Sequence, residues 1–274
     1  MRLVVVALLH VGCDWAFRLD DLDPPADALR VSQIACAAPV PMLASPPSAA
    51  LVEPGFDATG KIVLVRQGTT LRQLTRPSLT SPFGPPENAS ALDPTVNDPA
   101  FVVIDGETVA FGSQPPAPRH IVICRAPAST TTCERITILD ETTGTAITDD
   151  HDGPTVAVRS GEPLLVFSRG ASLYAAKPTT EDLASWTATR LELGGLMVDD
   201  GALVADGRIL VVPVAGGLVA LHWDDSAGAF GDPAVLSIAG ESPSVFDQGA
   251  VLELAITRSD RGILEPYLAR CTRS

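Results

Sequence analysis

The stretch Asp98-Pro99-Ala100-Phe101-Val102-Val103-Ile104-Asp105-Gly106-Glu107-Thr108-Val109-Ala110-Phe111 contains the whole logic of the chain in fourteen positions. An acid and a proline open it, a run of β-branched and aromatic residues follows, and Asp105-Gly106 separates that run from a second one. An Asp-Gly pair between two such runs is a strong short-range hairpin signal, because a tight hairpin turn needs positive φ at its centre. Working outward, the pattern repeats. Copies begin at Glu53-Pro54, Asp98-Pro99, Asp152-Gly153-Pro154, Asp200-Gly201 and Glu241-Ser242-Pro243, with turn glycines at Gly60, Gly106, Gly161, Gly207 and Gly249. The starts lie roughly 40 to 55 residues apart, a period at which repeats build β-propeller blades.

Each copy predicts more than one hairpin. Third strands are expected at Ile121 to Cys124, Ser172 to Ala176, Leu218 to Trp223 and Leu264 to Ala269. Fourth strands, opened by an aromatic residue, are expected at Trp186 to Leu193, Phe230 to Ile238 and, more weakly, Phe83 to Leu92. The expected fold is therefore all-β, a five-bladed propeller of four-stranded antiparallel blades. Helical periodicity is nearly absent, with Glu181 to Trp186 read as a loop. The fifth copy ends at Ser274 without a fourth strand, and a bare edge invites pairing with another chain. The β-like stretch Leu29 to Ala37 is expected to supply the missing outer strand and close the ring.

The cysteines fit that closure. Apart from Cys13 there are four, an even number in a chain expected to leave the cytoplasm. Three pairings are possible, and the topology favours Cys124 with Cys133 across a hairpin and Cys36 with Cys271 at the latch. The second bond closes a loop of roughly 230 residues, worth ~4 kcal/mol or more in the chain-entropy model. Four free thiols packed as small hydrophobes are the alternative.

The first residues read as an address. Arg2, the apolar run Leu3 to Leu9 and Gly12-Cys13 have the order of a signal peptide over 1–12. The run is much shorter than the ~20 residues of a spanning helix. His10 to Cys13 resembles a bacterial lipobox, with His10 where leucine is usual, which implies lipidation of Cys13 and attachment to a membrane at the cell envelope. From Cys13 to Ala28 the acidic, proline-containing run around Asp20-Asp21-Leu22-Asp23-Pro24-Pro25 reads as a tether. Trp15 and Phe17 would meet lipid headgroups or pack near the tether base. The propeller domain then spans 29–274.

Composition excludes some partners. The 274 residues have 19 basic and 33 acidic side chains, a formal charge of -14, and no basic cluster. Nucleic acid binding needs concentrated Lys and Arg and is not expected. There is no phosphate loop, no nucleophile elbow and no histidine pair at metal-binding spacing. The histidines are scattered, and His151 reads as a solvated loop residue.

With Asp98-Pro99-Ala100-Phe101 and Asp105-Gly106, and Glu241-Ser242-Pro243-Ser244-Val245 with Gly249, the repeats resemble the TolB-type, WD-like propellers of bacterial lipoproteins. Ser-Asp-Arg, usual after the second strand there, occurs only as Ser259-Asp260-Arg261. The resemblance implies a non-catalytic binding or scaffold module at the envelope, for a protein or glycan ligand.

Chemistry, if present, falls to the acids. First strands lining the channel would bring Glu53, Asp98, Asp152, Asp200 and Glu241 into a ring at one mouth. Such a ring can be structural, can bind a ligand or a cation such as Ca2+, or can work as an enzyme. No other cofactor is implied. Asp98-Pro99 is similar to the Asp-Pro that carries the base in five-bladed furanosidases and xylosidases. That alternative makes Asp98 the base, Glu241 the acid and Asp152 a modulating third, in a hydrolysis that needs two carboxylates. Aromatic residues at only 5% leave few platforms for stacking a sugar.

Overall fold

The computed structural model describes residues 34–89, 92, 95–125, 133–196, 198, 200–204 and 206–273. The expected signal peptide, Cys13, the tether with Trp15 and Phe17, and residues 29–33 lie outside them. Five antiparallel sheets form the body. Their innermost strands touch in the order blade 1, 2, 3, 4, 5 and back to 1, which closes a five-bladed β-propeller.

Blade 1 is built from Val52–Phe56, Ile62–Gln67, Thr70–Thr75 and Glu87–Asn88, and blade 2 from Asn97–Ile104, Glu107–Gln114, His120–Arg125 and Cys133–Arg135. In blade 2, Asp105 and Gly106 both take positive φ (52° and 84°), as the Asp-Gly hairpin requires. Blade 4 contains Ala202–Leu203, Ile209–Val214, Gly217–Asp224 and Ala229–Val235. The fourth strand of blade 1 is two residues long, far short of the expected Phe83 to Leu92, because Pro85 and Pro86 cannot donate to a ladder.

Blade 3 departs from the expected four strands. Asp152–Arg159, Glu162–Arg169, Ser172–Pro178 and Ser185–Arg190 are joined by Thr137–Asp140, which pairs in parallel with Ser185–Arg190 on the outer edge. The extra strand covers that edge and brings Ile136 and Ile138 into the core shared by blades 2 and 3. Trp186 sits in this core with no exposed surface, edge-on to Phe111 at 5.7 Å, its indole nitrogen donating to the Leu183 carbonyl at 2.7 Å.

Blade 5 is closed as the sequence predicts. Glu241–Asp247, Val251–Arg258 and Glu265–Arg273 come from the C-terminal end, and Ile34–Cys36 pairs antiparallel with the last of them. Val40–Pro41 adds a second short contact on the same strand. Cys36 faces Cys271 in register and is bonded to it across a sequence separation of 235. Cys124 and Cys133 form the other disulfide, across the outer hairpin of blade 2.

Four of the five innermost strands, those of blades 1, 2, 3 and 5, are bent where the repeat begins. The register slips between Val52 and Gly55, Asn97 and Ala100, Asp152 and Thr155, and Glu241 and Ser244. At each slip the residue before the proline has positive φ: Glu53 (55°), Asp98 (47°), Gly153 (54°) and Ser242 (47°). Only glycine reaches this region freely, and a following proline disfavours helical backbone as well, so three of the four bulges hold strain at the channel mouth. The bulge also allows close approach. A Cβ on Gly55 would lie 2.1 Å from the Pro99 carbonyl oxygen of the neighbouring blade.

Candidate functional site

The starts of the innermost strands bring the acids to one place. Glu53, Asp98, Asp152, Asp200 and Glu241 all line a single open cleft of about 910 Å3. A narrow channel of about 60 Å3 shares Glu53, Asp98 and Asp200 with it. The rest of the cleft wall comes mainly from loops of blades 4 and 5, at 213–217, 239–242 and 257–260. Among the described lining residues Arg258 is the one cation, held by Asp260 at 2.6 Å, and no aromatic ring is present.

The five acids are not equivalent, although the repeat aligns them. Glu53 and Asp98 occupy the bulge itself, whereas Asp152 and Glu241 stand one residue earlier, where blades 1 and 2 have Val52 and Asn97. Their surroundings differ more. Glu53 is gripped by Arg66, whose Nε donates to Oε2 at 2.5 Å while its Nη2 donates to Oε1. The Glu53 amide donates to Thr257 Oγ1 of blade 5 at 3.3 Å. Asp152 is paired with Arg119, which also reaches Asp150 at 3.0 Å and so ties blade 2 to blade 3. Glu241 is exposed on the cleft wall.

Asp98 is the unusual one. It opens onto the cleft but is otherwise enclosed, hydrogen-bonded to Glu53 and accepting from Ser113 Oγ at 3.2 Å. Burial raises its pKa well above the usual carboxylate value, and the charges of Glu53 and Asp200 and the bond to Glu53 push the same way, against only the Ser113 hydroxyl. A carboxyl group in such a setting holds its proton to higher pH than an ordinary carboxylate does. Perturbation of this kind inside a cleft is a mark of functional sites.

Arg66, Ser113 and Arg258 were not read from the sequence. A signal for the first two exists in the aligned copies. Val52, Asn97, Asp152 and Glu241 face Arg66, Ser113, Ser168 and Thr257 across the first two strands, so blade 1 has an arginine where the other three have a hydroxyl. His151 is a correction. It is buried rather than solvated, with Nδ1 2.7 Å from the Asp149 carbonyl and its ring 5.2 Å from His120. Burial lowers the pKa of both imidazoles. For calcium, several ionised oxygens would have to converge. Two of the five acids are engaged by arginines, and no group of three possible ligands gathers among the described residues.

No protein-family model matches the chain, and no curated protein does. Solved structures do. An endo-arabinase from Bacteroides thetaiotaomicron is similar with a TM-score of 0.52 at 14% identity, covering 87% of this chain and 97% of that one. A GH43_1 enzyme from Xanthomonas citri complexed with xylose gives 0.59 at 9% identity, over 85% and 90% of the two chains. An alpha-L-arabinofuranosidase from Lactobacillus brevis gives 0.55 at 10% identity, over 81% and 91%. At identities this low the likeness shows the fold. It nevertheless corrects the expectation of a non-catalytic binding or scaffold module, since the matching propellers named here are glycoside hydrolases.

Proposed function

We propose that the chain is a glycoside hydrolase of the five-bladed furanosidase and xylosidase type. The observation that carries this reading is the meeting of unlike carboxyl groups in one cleft, a neutral-leaning Asp98 with Glu53, Asp152, Asp200 and Glu241 around it. Glycoside hydrolysis needs that inequality, one carboxyl group giving a proton to the leaving oxygen and one carboxylate acting as base or nucleophile. The roles expected from sequence are exchanged in this reading. Asp98, surrounded by acids where it meets the cleft, is the proton donor, and the exposed Glu241 is the carboxylate. Asp152, held by Arg119, is a fixed negative charge at the same mouth. With no aromatic platform in the lining, a sugar here is gripped through hydroxyl contacts with the acids and with Arg258.

The test is turnover of aryl arabinofuranosides, aryl xylosides and arabinan by the full chain. Asp98→Asn should lower kcat by about 10²- to 10⁴-fold, the usual contribution of a positioned proton donor. Absence of turnover by the unaltered protein across that panel would retire the reading. We further propose that Cys13 is lipidated and holds the enzyme at the cell envelope, which labelling of the expressed chain with a radioactive fatty acid, against Cys13→Ser, would decide.

A further inference from the structure

Asp98 does not face its neighbours alone, and the group that sets its surroundings lies one blade away. Glu53 and Asp98 occupy matching bulges on adjacent innermost strands, and their side chains are hydrogen-bonded to each other. Two carboxyl groups this close hold one proton between them, because both cannot ionise without strong repulsion. What breaks the symmetry of the pair is Arg66. Its guanidinium lies in the second strand of blade 1, opposite Val52, and grips both oxygens of Glu53 in the planar fork that arginine makes with a carboxylate. Asp98 receives only a hydroxyl from its own blade, Ser113, and faces the further negative charge of Asp200. Asp152 and Glu241 line the same cleft.

We propose that Arg66 is a positioning residue: by clamping Glu53 it fixes a negative charge against Asp98 and makes Asp98 the proton-bearing member of the pair. Arg66 itself is absent from the cleft lining. The inference rests on the hydrolase reading for its purpose, but its physical content, which carboxyl group holds the proton, is measurable without any substrate. It also explains why blade 1 has an arginine where blades 2, 3 and 5 have a serine or threonine.

The experiment is a 13C carboxyl titration by NMR of the full, disulfide-bonded chain, with the Asp98 signal assigned by its loss in Asp98→Asn. Glu53→Gln removes the charge and should bring the Asp98 titration down by about one pH unit or more. Arg66→Met frees the proton to divide between the two oxygens, so the Asp98 signal at neutral pH should move toward the carboxylate position. Arg66→Lys, which keeps the charge but not the fork, should restore much of the original signal. An Asp98 titration unchanged in Glu53→Gln overturns the proposal, as does one unchanged in Arg66→Met. If Arg66→Met does not fold, the Glu53→Gln and Arg66→Lys titrations decide it alone. Should the titrations behave as expected while no glycoside is turned over, the proton assignment stands and the hydrolase reading falls.

Discussion

Glu253, fully buried in the second strand of blade 5, and Asp98, partly buried on the bulge of blade 2, are acids that the molecule treats in opposite ways. Glu253 has no exposed side-chain surface and is surrounded by cations. Arg76 of blade 1, equally buried, donates to it through both terminal nitrogens, and Arg270 reaches Oε1 at 3.0 Å. Arg76 also donates to the Gly60 and Leu79 carbonyls and stacks 4.6 Å from the Phe83 ring, so four of its five N–H donors are engaged. Asp98 is surrounded by Glu53 and Asp200 instead. The first arrangement neutralises a charge and locks the seam between blades 1 and 5. The second leaves a carboxyl group at the channel mouth with acids and a hydroxyl around it in place of a cation. A buried acid among cations holds the fold, whereas Asp98 stands among acids at the edge of the cleft.

The seam side of this contrast should show the larger stability effects. Cys36→Ser, measured against Cys124→Ser by urea denaturation, separates the two disulfides by loop length. The chain-entropy model gives about 5 kcal/mol for the latch and about 2 to 3 kcal/mol for the short hairpin bond. Equal losses would mean that pairing of Ile34–Cys36 with the last strand holds the ring shut without the covalent bond.

Next in size is Arg76→Met, which leaves Glu253 buried with only the half-exposed Arg270. A loss of about 3 to 5 kcal/mol is expected, and adding Glu253→Leu should recover most of it, because an apolar pair needs no compensation. If the single variant is as stable as the parent, the seam pair is not what locks blades 1 and 5.

The cleft side should give the smallest effect and the opposite sign. A carboxyl group whose pKa is raised by folding favours the native state below its unfolded value, and that contribution is lost as pH rises through the folded value. The parent therefore pays increasingly to ionise Asp98 as pH rises above the ordinary carboxylate range. Asp98→Asn escapes that cost, so its stability relative to the parent should grow with pH across that window, even as activity falls. A gap independent of pH would show that Asp98 ionises as easily in the folded chain as in the unfolded one.

Much of this architecture was legible beforehand because it follows from local patterns. Asp105-Gly106 makes its hairpin with the backbone angles that the pair favours. With Cys124 and Cys133 matched across one hairpin, Cys36 and Cys271 were left to form the latch, and they meet in register. Where the reading failed, a non-local partner decided. Thr137–Asp140 joins blade 3 in parallel, a pairing that alternation within one segment does not reveal. His151 is buried because His120 and Phe167 of other strands close over it.

The candidate site divides in the same way. That five acids would gather at one mouth could be read from their recurrence at the starts of innermost strands, since a closed ring brings those starts together. Their inequality could not. Glu53 and Asp152 are matched to Arg66 and Arg119 by pairing across strands and blades, and Asp98 is left with acids by the same geometry. Linear order alone determined the number of blades, the way the ring is latched and which residue types face the channel, because period, turn chemistry and cysteine placement act over short distances or at chain ends. Which acid holds a proton was decided only by the folded arrangement, because a carboxyl group's charge depends on burial and on every other charge within a few ångströms, wherever those lie in the chain.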